Sequence, residues 1–171
     1  MNEVMQFRDA ELAVSGEMIG IDEREFYALS NFSSFQVEYC DVVWPTSEHL
    51  YQATKFFFTD PLIAEQIRLA PSAHDAQKIA QANIRRRDEN WEEMKVAVMY
   101  EICKLKLEQQ EYVRKKLLQA GDLEIVEDST KDDFWGWGPN RDGRNELGKI
   151  WMRLREELRA GEIQIQKRPN N

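Results

Sequence analysis

The feature that most constrains how this chain can fold is a single apolar stripe in its middle. Trp91, Met94, Val98, Ile102 and Leu105 step by three or four residues, the spacing that gathers side chains on one face of an α-helix. Shorter helices are expected on either side. Thr46 or Ser47 can cap a helix that begins near Glu48, with a carboxylate in its first turn, and runs to about Phe58 before Asp60-Pro61 ends it. Two more are expected between Pro61 and Ala82, the second opening on the capping-box pattern Ser72-Ala73-His74-Asp75. Another passes through Val113, Leu117 and Leu118 and stops at Gly121. The last carries Leu147, Ile150, Trp151, Leu154 and Leu158 on one side and ends near Gly161.

Strands are few and short. Phe35, Val37 and Tyr39 alternate with polar neighbours, and Leu123 to Val126 is a second short run. The expected class is α+β: a mainly helical single domain with a few short strands. Residues 1–25 read as an N-terminal extension, polar with turns at Gly16 and Gly20; residues 26–161 form the domain, and 162–171 a polar, frayed tail. Strands do not alternate with helices and no GxGxxG follows one, which argues against a doubly wound dinucleotide-binding sheet.

Composition removes several function classes. With 171 residues, 42% hydrophobic and 32% charged, the chain suits a globular domain that buries its own core. No apolar run approaches the roughly 20 residues that span a bilayer. No cationic region leads into an apolar one at Met1 to Ala10, and Cys40 and Cys103 stand far apart outside any CxxC pattern. Both points fit a cytoplasmic protein with free thiols. The net charge of −8 argues against strong non-specific DNA binding. His49 and His74 are the only histidines, so no metal site built on His and Cys is expected, and no cofactor is implied. The densest basic spot, Arg85-Arg86-Arg87, is either a solvated charge run or a place for a ligand phosphate.

Two segments could carry chemistry. On the helix from Glu48, Glu48 and Lys55 differ by seven steps and fall within roughly 20° of one direction, with Gln52 between them. A carboxylate, an amide and an amine would share one stripe, while His49 lies on a neighbouring one. The same pattern also describes an ordinary amphipathic helix whose Glu and Lys face solvent. The second segment is Asp132-Asp133-Phe134-Trp135-Gly136-Trp137-Gly138, followed by Asn145-Glu146-Leu147-Gly148. Tryptophan gives a flat stacking surface and glycine lets backbone N–H groups approach a ligand. The alternative is a tryptophan-anchored loop that closes the core.

Several blocks, in order, resemble the YbiA/NADAR family from about Phe26 to Leu158. They are Leu29-Ser30-Asn31-Phe32, Trp44-Pro45-Thr46-Ser47-Glu48-His49, Gln52-Ala53-Thr54-Lys55-Phe56, Asn90-Trp91 with Lys95 and Val98-Met99, Asp132 with Trp135-Gly136, and Gly143, Asn145, Leu147 and Gly148. Tyr27 departs from the pattern, standing where the family often has glycine. The resemblance implies hydrolysis of a C1′–N bond in a ribosylated base: a phosphoribosylamino-pyrimidine intermediate of riboflavin synthesis, or ADP-ribose on guanine. It implies catalytic roles for Glu48, Lys55 and Asp132, and substrate contacts from Ser30, Asn31, Phe32, Gln52, Trp91, Trp135, Gly136 and Asn145. Bond cleavage builds positive charge on the sugar, which a carboxylate such as Glu48 would stabilise. A desolvated Lys55 could instead attack an opened imine as a nucleophile. Trp135 would stack on the ligand, and Asp132 would hold ribose hydroxyls or activate water. The competing readings are a non-catalytic module that binds ADP-ribose or a nucleotide, and a purely structural interaction domain.

Overall fold

A computed structural model describes residues 18–166. Its elements, in chain order, are β1 (Met18–Gly20), β2 (Val37–Tyr39), β3 (Val42–Trp44), α1 (Ser47–Thr54), α2 (Pro61–Arg68), α3 (Ala73–Ala82), α4 (Trp91–Gln109), α5 (Glu111–Gln119), β4 (Glu124–Val126) and α6 (Glu146–Arg159). Single 3-10 turns lie at Tyr27–Leu29 and Ile84–Arg86. The mainly helical α+β composition is the expected one. The described residues group into two compact units: 31–114 with 161–166, and 18–30 with 115–160.

The first unit is built on α1. That helix packs against α2, α3 and α4, and its own N-terminus follows the hairpin of β2 and β3. The hairpin is antiparallel, with Val37 opposite Trp44 and Tyr39 opposite Val42. Cys40 and Asp41 make its two-residue turn with φ of 52° and 61°, the double positive φ that joins strands without splaying them. Each of α1, α2 and α3 is capped, at Thr46 and Ser72 as expected and at Asp60 in addition. Thr46, Asp60 and Ser72 accept from the N–H groups of His49, Ile63 and Asp75. Such bonds satisfy amides that the first turn leaves without partners.

Three expectations for this unit need correction. Helix α1 ends at Thr54, short of Phe58. The Thr54 hydroxyl donates to the Tyr51 carbonyl at 2.7 Å, and the Lys55 carbonyl accepts from the Asp88 N–H at 2.8 Å, so backbone past Thr54 is held by the segment ahead of α4. The buried face of α4 is also turned from the predicted stripe. Trp91, Met99, Ile102, Cys103, Lys106 and Leu107 are buried, whereas Met94 is 37% exposed and Val98 and Leu105 are half-buried. The tail expected to be frayed is docked as far as it is described: Ile163 is buried, and the Gln166 N–H donates to the Glu108 carbonyl at 3.1 Å.

In the second unit β1 pairs in parallel with β4, Ile19 beside Ile125, and α6 packs on β4. Strand β1 is additional to the strands expected from the sequence, which places only a turn at Gly20, whose carbonyl accepts from the Glu23 N–H. The turn expected at Gly16 lies outside the described residues. Helix α6 lies so close to β4 that a Cβ on Gly148 would run into the Ile125 carbonyl oxygen. The two expected helix-stop glycines are present: Gly121 follows α5 and Gly161 follows α6, with φ of 56° and 74°, the left-handed form glycine adopts at helix C-termini.

Candidate active site

Helix α1 carries a polar stripe where a short buried helix would ordinarily carry apolar residues. Glu48 and Gln52 are each only 4% exposed. Gln52 Nε2 donates to Glu48 Oε1 at 2.6 Å, and Lys55 Nζ donates to Gln52 Oε1 at 2.6 Å. The carboxylate, amide and amine therefore form a continuous chain, and the reading in which Glu48 and Lys55 face solvent is overturned. The Glu48 N–H is held in turn by the Asn31 carbonyl at 3.1 Å. Asn31 is buried, with its amide nitrogen 3.0 Å from Met99 Sδ, so the segment after Ser30 fixes the start of α1 against α4.

Lys55 sits half-buried over two aromatic rings. Its Nζ lies 5.2 Å from the Tyr51 centroid and 5.6 Å from that of Trp91, and these rings meet edge to face at 5.3 Å. Burial lowers its pKa to about 8 from an ordinary 10.5; Glu48 opposes that shift, Arg87 adds to it, Glu92 opposes it and Lys95 adds to it. An amine so placed gives up its proton more readily than an ordinary lysine, while its ring contacts and its bond to Gln52 keep it oriented. Tyr51 was not foreseen, although its place four residues before Lys55 on the helix puts the two side chains in reach.

His49 belongs to the scaffold. Its Nε2 lies 3.1 Å from the Ala70 carbonyl, which can only accept, so Nε2 carries the proton and Nδ1 accepts from the Thr46 hydroxyl at 2.8 Å. Burial lowers its pKa and the Ala70 carbonyl partly restores it. Among the described residues no group of three His, Cys, Asp or Glu stands together as a metal site would need.

The glycine- and tryptophan-rich loop belongs to the other unit. Asp132 Oδ1 accepts from the N–H groups of Phe134 at 2.9 Å and Trp135 at 2.7 Å. Asn145, left-handed at φ 51°, accepts at Oδ1 from the Glu127 N–H at 3.0 Å and donates from Nδ2 to the Ile125 carbonyl at 2.9 Å. Both side chains thus brace backbone: one shapes the turn into Trp135, the other ties the loop's end to β4. Gly136 is required where it stands, because a Cβ there would meet the Glu127 carbonyl oxygen at 2.5 Å. Trp135 is half-buried and packs edge to face on Phe134 at 4.9 Å. In the same unit Ser30 is buried and its N–H donates to the Tyr27 carbonyl, while Tyr27 itself is 43% exposed.

The NADAR domain family model matches residues 19–159. The chain belongs to the NADAR family. Among its relatives, "N-glycosidase Npun_R5314" of Nostoc punctiforme is 37% identical over 131 residues, 76% of this chain and 84% of that one. "Riboflavin biosynthesis protein VVA0006" of Vibrio vulnificus is 38% identical over 130 residues; the match spans 76% of this chain and 35% of that longer protein. The NMR structure of Escherichia coli YbiA superposes with a TM-score of 0.76 at 30% identity, over 90% of this chain and 92% of that one. No helix among the described residues is long and apolar enough to cross a membrane.

The NADAR match takes in both units, from β1 to the end of α6. Within the first unit the structure brings Glu48, Gln52, Lys55 and Trp91 together, with Asn31 behind Glu48; Phe32 is half-buried beside it in sequence. Asp132, Trp135, Gly136, Asn145 and Ser30 lie in the second. An apolar cavity of about 460 Å³, lined by Tyr39, Leu50, Phe57, Met94 and Val98 among others, contains none of Glu48, Gln52 or Lys55. Leu50 points about 200° around the helix from Glu48, so this cavity is on the other side of α1.

Proposed function

We propose that this NADAR protein hydrolyses the C1′–N bond of a ribosylated base, with Glu48 and Lys55 as its catalytic groups. Family membership and the relatives named as N-glycosidases carry the class of reaction, a hydrolase acting on N-glycosyl bonds. The observation that supports these two residues is the buried Glu48–Gln52–Lys55 chain ending in an amine of lowered pKa. Burying a carboxylate and an amine costs stability unless each is well bonded, and such pairs with perturbed pKa gather at reactive sites.

A glycosylamine opens when its ring oxygen takes a proton and the C1′–N bond becomes an imine. Neutral Lys55 adds its lone pair to C1′, the base leaves as its free amine, and C1′ remains doubly bonded to Nζ. Water adds to that Schiff base and releases ribose as its aldehyde, which recloses, while Nζ recovers its electron pair. Glu48, linked to Lys55 by the Gln52 amide, acts on the amine electrostatically and stabilises the positive charge that builds at C1′. Trp91 and Tyr51 form a wall beside Nζ that limits water. Asp132 and Asn145 act by holding the tryptophan loop, since their bonds run to backbone amides and carbonyls. A phosphoribosylamino-pyrimidine suits the open imine route, and the relative named for riboflavin biosynthesis favours it. ADP-ribose on guanine presents the same C1′–N bond.

Borohydride added during turnover tests the covalent step. A reduced adduct on Lys55, located by mass spectrometry, is the expected result. Turnover without any adduct removes the Schiff base and leaves direct attack by water.

A further inference from the structure

Basic side chains gather around one carboxylate beside Lys55. Glu92, in the first turn of α4, pairs through Oε1 with Arg87 at 2.9 Å and through Oε2 with Lys95 at 2.6 Å. All three act on the Lys55 amine, Arg87 and Lys95 pushing its pKa down and Glu92 pushing it up. Arg87 comes from the segment whose Asp88 N–H is bonded to the Lys55 carbonyl, so its backbone is anchored to the end of α1. Arg87 and Lys95 share the one carboxylate of Glu92, in a chain whose net charge is −8. Two cations held on one anion leave positive charge that attracts a second. The side chains of Arg87 and Lys95 are 28% and 18% exposed, against 56% for Glu92. The cations are held in place, and the carboxylate is the member that can swing out to water. Arg86 differs from its neighbour, being paired with Asp60 at the start of α2.

We propose that Arg87 and Lys95 form a subsite for a phosphate ester of the substrate's ribose, and that Glu92 occupies this subsite in the ligand-free protein. The proposal rests on the reaction proposed above and names the part of the substrate its site would hold. The guanidinium fork matches two phosphate oxygens and the ammonium supplies a point charge. When the ester binds, its oxygens replace those of Glu92, whose carboxylate turns to solvent. A ribose 5-phosphate group and the diphosphate of ADP-ribose share this chemistry.

Calorimetric titration of the full chain with ribose, ribose 5-phosphate and ADP-ribose tests it. Ribose 5-phosphate should bind at least about tenfold more tightly than ribose, the effect of a hydrogen bond to a charged group. Arg87→Ala and Lys95→Ala should each shrink that ratio, and Glu92→Gln should raise it. A ratio above one for ADP-ribose alone that falls in Arg87→Ala and Lys95→Ala supports the subsite and assigns it to the diphosphate; one that does not fall overturns it. Equal binding of all three ligands, or a ratio unchanged in both Arg87→Ala and Lys95→Ala, overturns it. Binding is read without turnover, so the two readings fail separately. Phosphate preference without release of any base would sink the reaction and keep the subsite. Base release with equal kcat/KM for phosphorylated and dephosphorylated substrates would keep the reaction and sink the subsite.

Discussion

Replacing Glu48 by Gln should move the Lys55 amine, and the structure sets the direction and size of the move. Two hydrogen bonds of 2.6 Å with the Gln52 amide between them separate carboxylate from ammonium by about 7 Å, a distance at which an effective dielectric of about 20 gives an attraction of roughly 2.4 kcal/mol. Removing that attraction would lower the amine pKa by up to about 1.7 units. Lys55 is only half-buried, so water screens part of this, and a fall of about one unit is expected. The natural protein starts from about 8, which leaves roughly a tenth of the amine neutral at pH 7; in the variant about half would be neutral. Limiting amine-reactive label applied across a pH series, with the Lys55 peptide quantified by mass spectrometry, reads this pKa even in an inactive enzyme. A midpoint unchanged or raised in Glu48→Gln would refute the relay from Glu48 to Lys55. A natural protein that labels with an ordinary lysine midpoint would refute the desolvated amine.

Two further outcomes test the frame around the site. Gly136→Ala places a methyl against the Glu127 carbonyl oxygen at 2.5 Å, which should cost about 2 kcal/mol; a melting temperature equal to that of the natural protein would contradict this. Lys106 is fully buried, its Nζ donates to Ser33 Oγ at 2.8 Å, and burial pushes its pKa down to about 7, with Cys103 opposing. The unfolded chain then binds more protons between about pH 7 and 10.5, so this group makes stability rise with pH across that window. Lys106→Met should remove that slope and stabilise the protein at pH 7 on the order of 2 kcal/mol, as urea melts at several pH values would register. A steeper slope or a net loss of stability would count against it.

The sequence made local features legible and non-local ones obscure. The caps at Thr46 and Ser72, the stop at Gly121 and the shared stripe of Glu48, Gln52 and Lys55 each depend on neighbours within a few residues, and each is present. Strand β1 could not be read because its partner, β4, lies more than a hundred residues away and three residues give too little pattern. The buried face of α4 departs from the apolar stripe because periodicity counts only apolar residues. It does not foresee that Lys106 can be buried once Ser33 accepts its hydrogen bond, nor that Met94 and Val98 line an open cavity instead of the core. Asp132 and Asn145 show the same limit. Their residue types fit a ligand contact or a backbone brace equally well, and the bonds to Trp135, Phe134, Glu127 and Ile125 are visible only in three dimensions.

Whether Glu48 and Lys55 of this NADAR protein cleave a C1′–N bond is read most directly by chromatography of the base released from a phosphoribosylamino-pyrimidine and from ADP-ribosylated guanine, by the natural protein and by folded Glu48→Gln and Lys55→Ala variants. The natural protein should release the base from at least one substrate, and each variant should be slower by about a thousandfold, in the range for loss of an acid–base group or nucleophile. No release from either substrate, or full activity in both variants, would contradict that role.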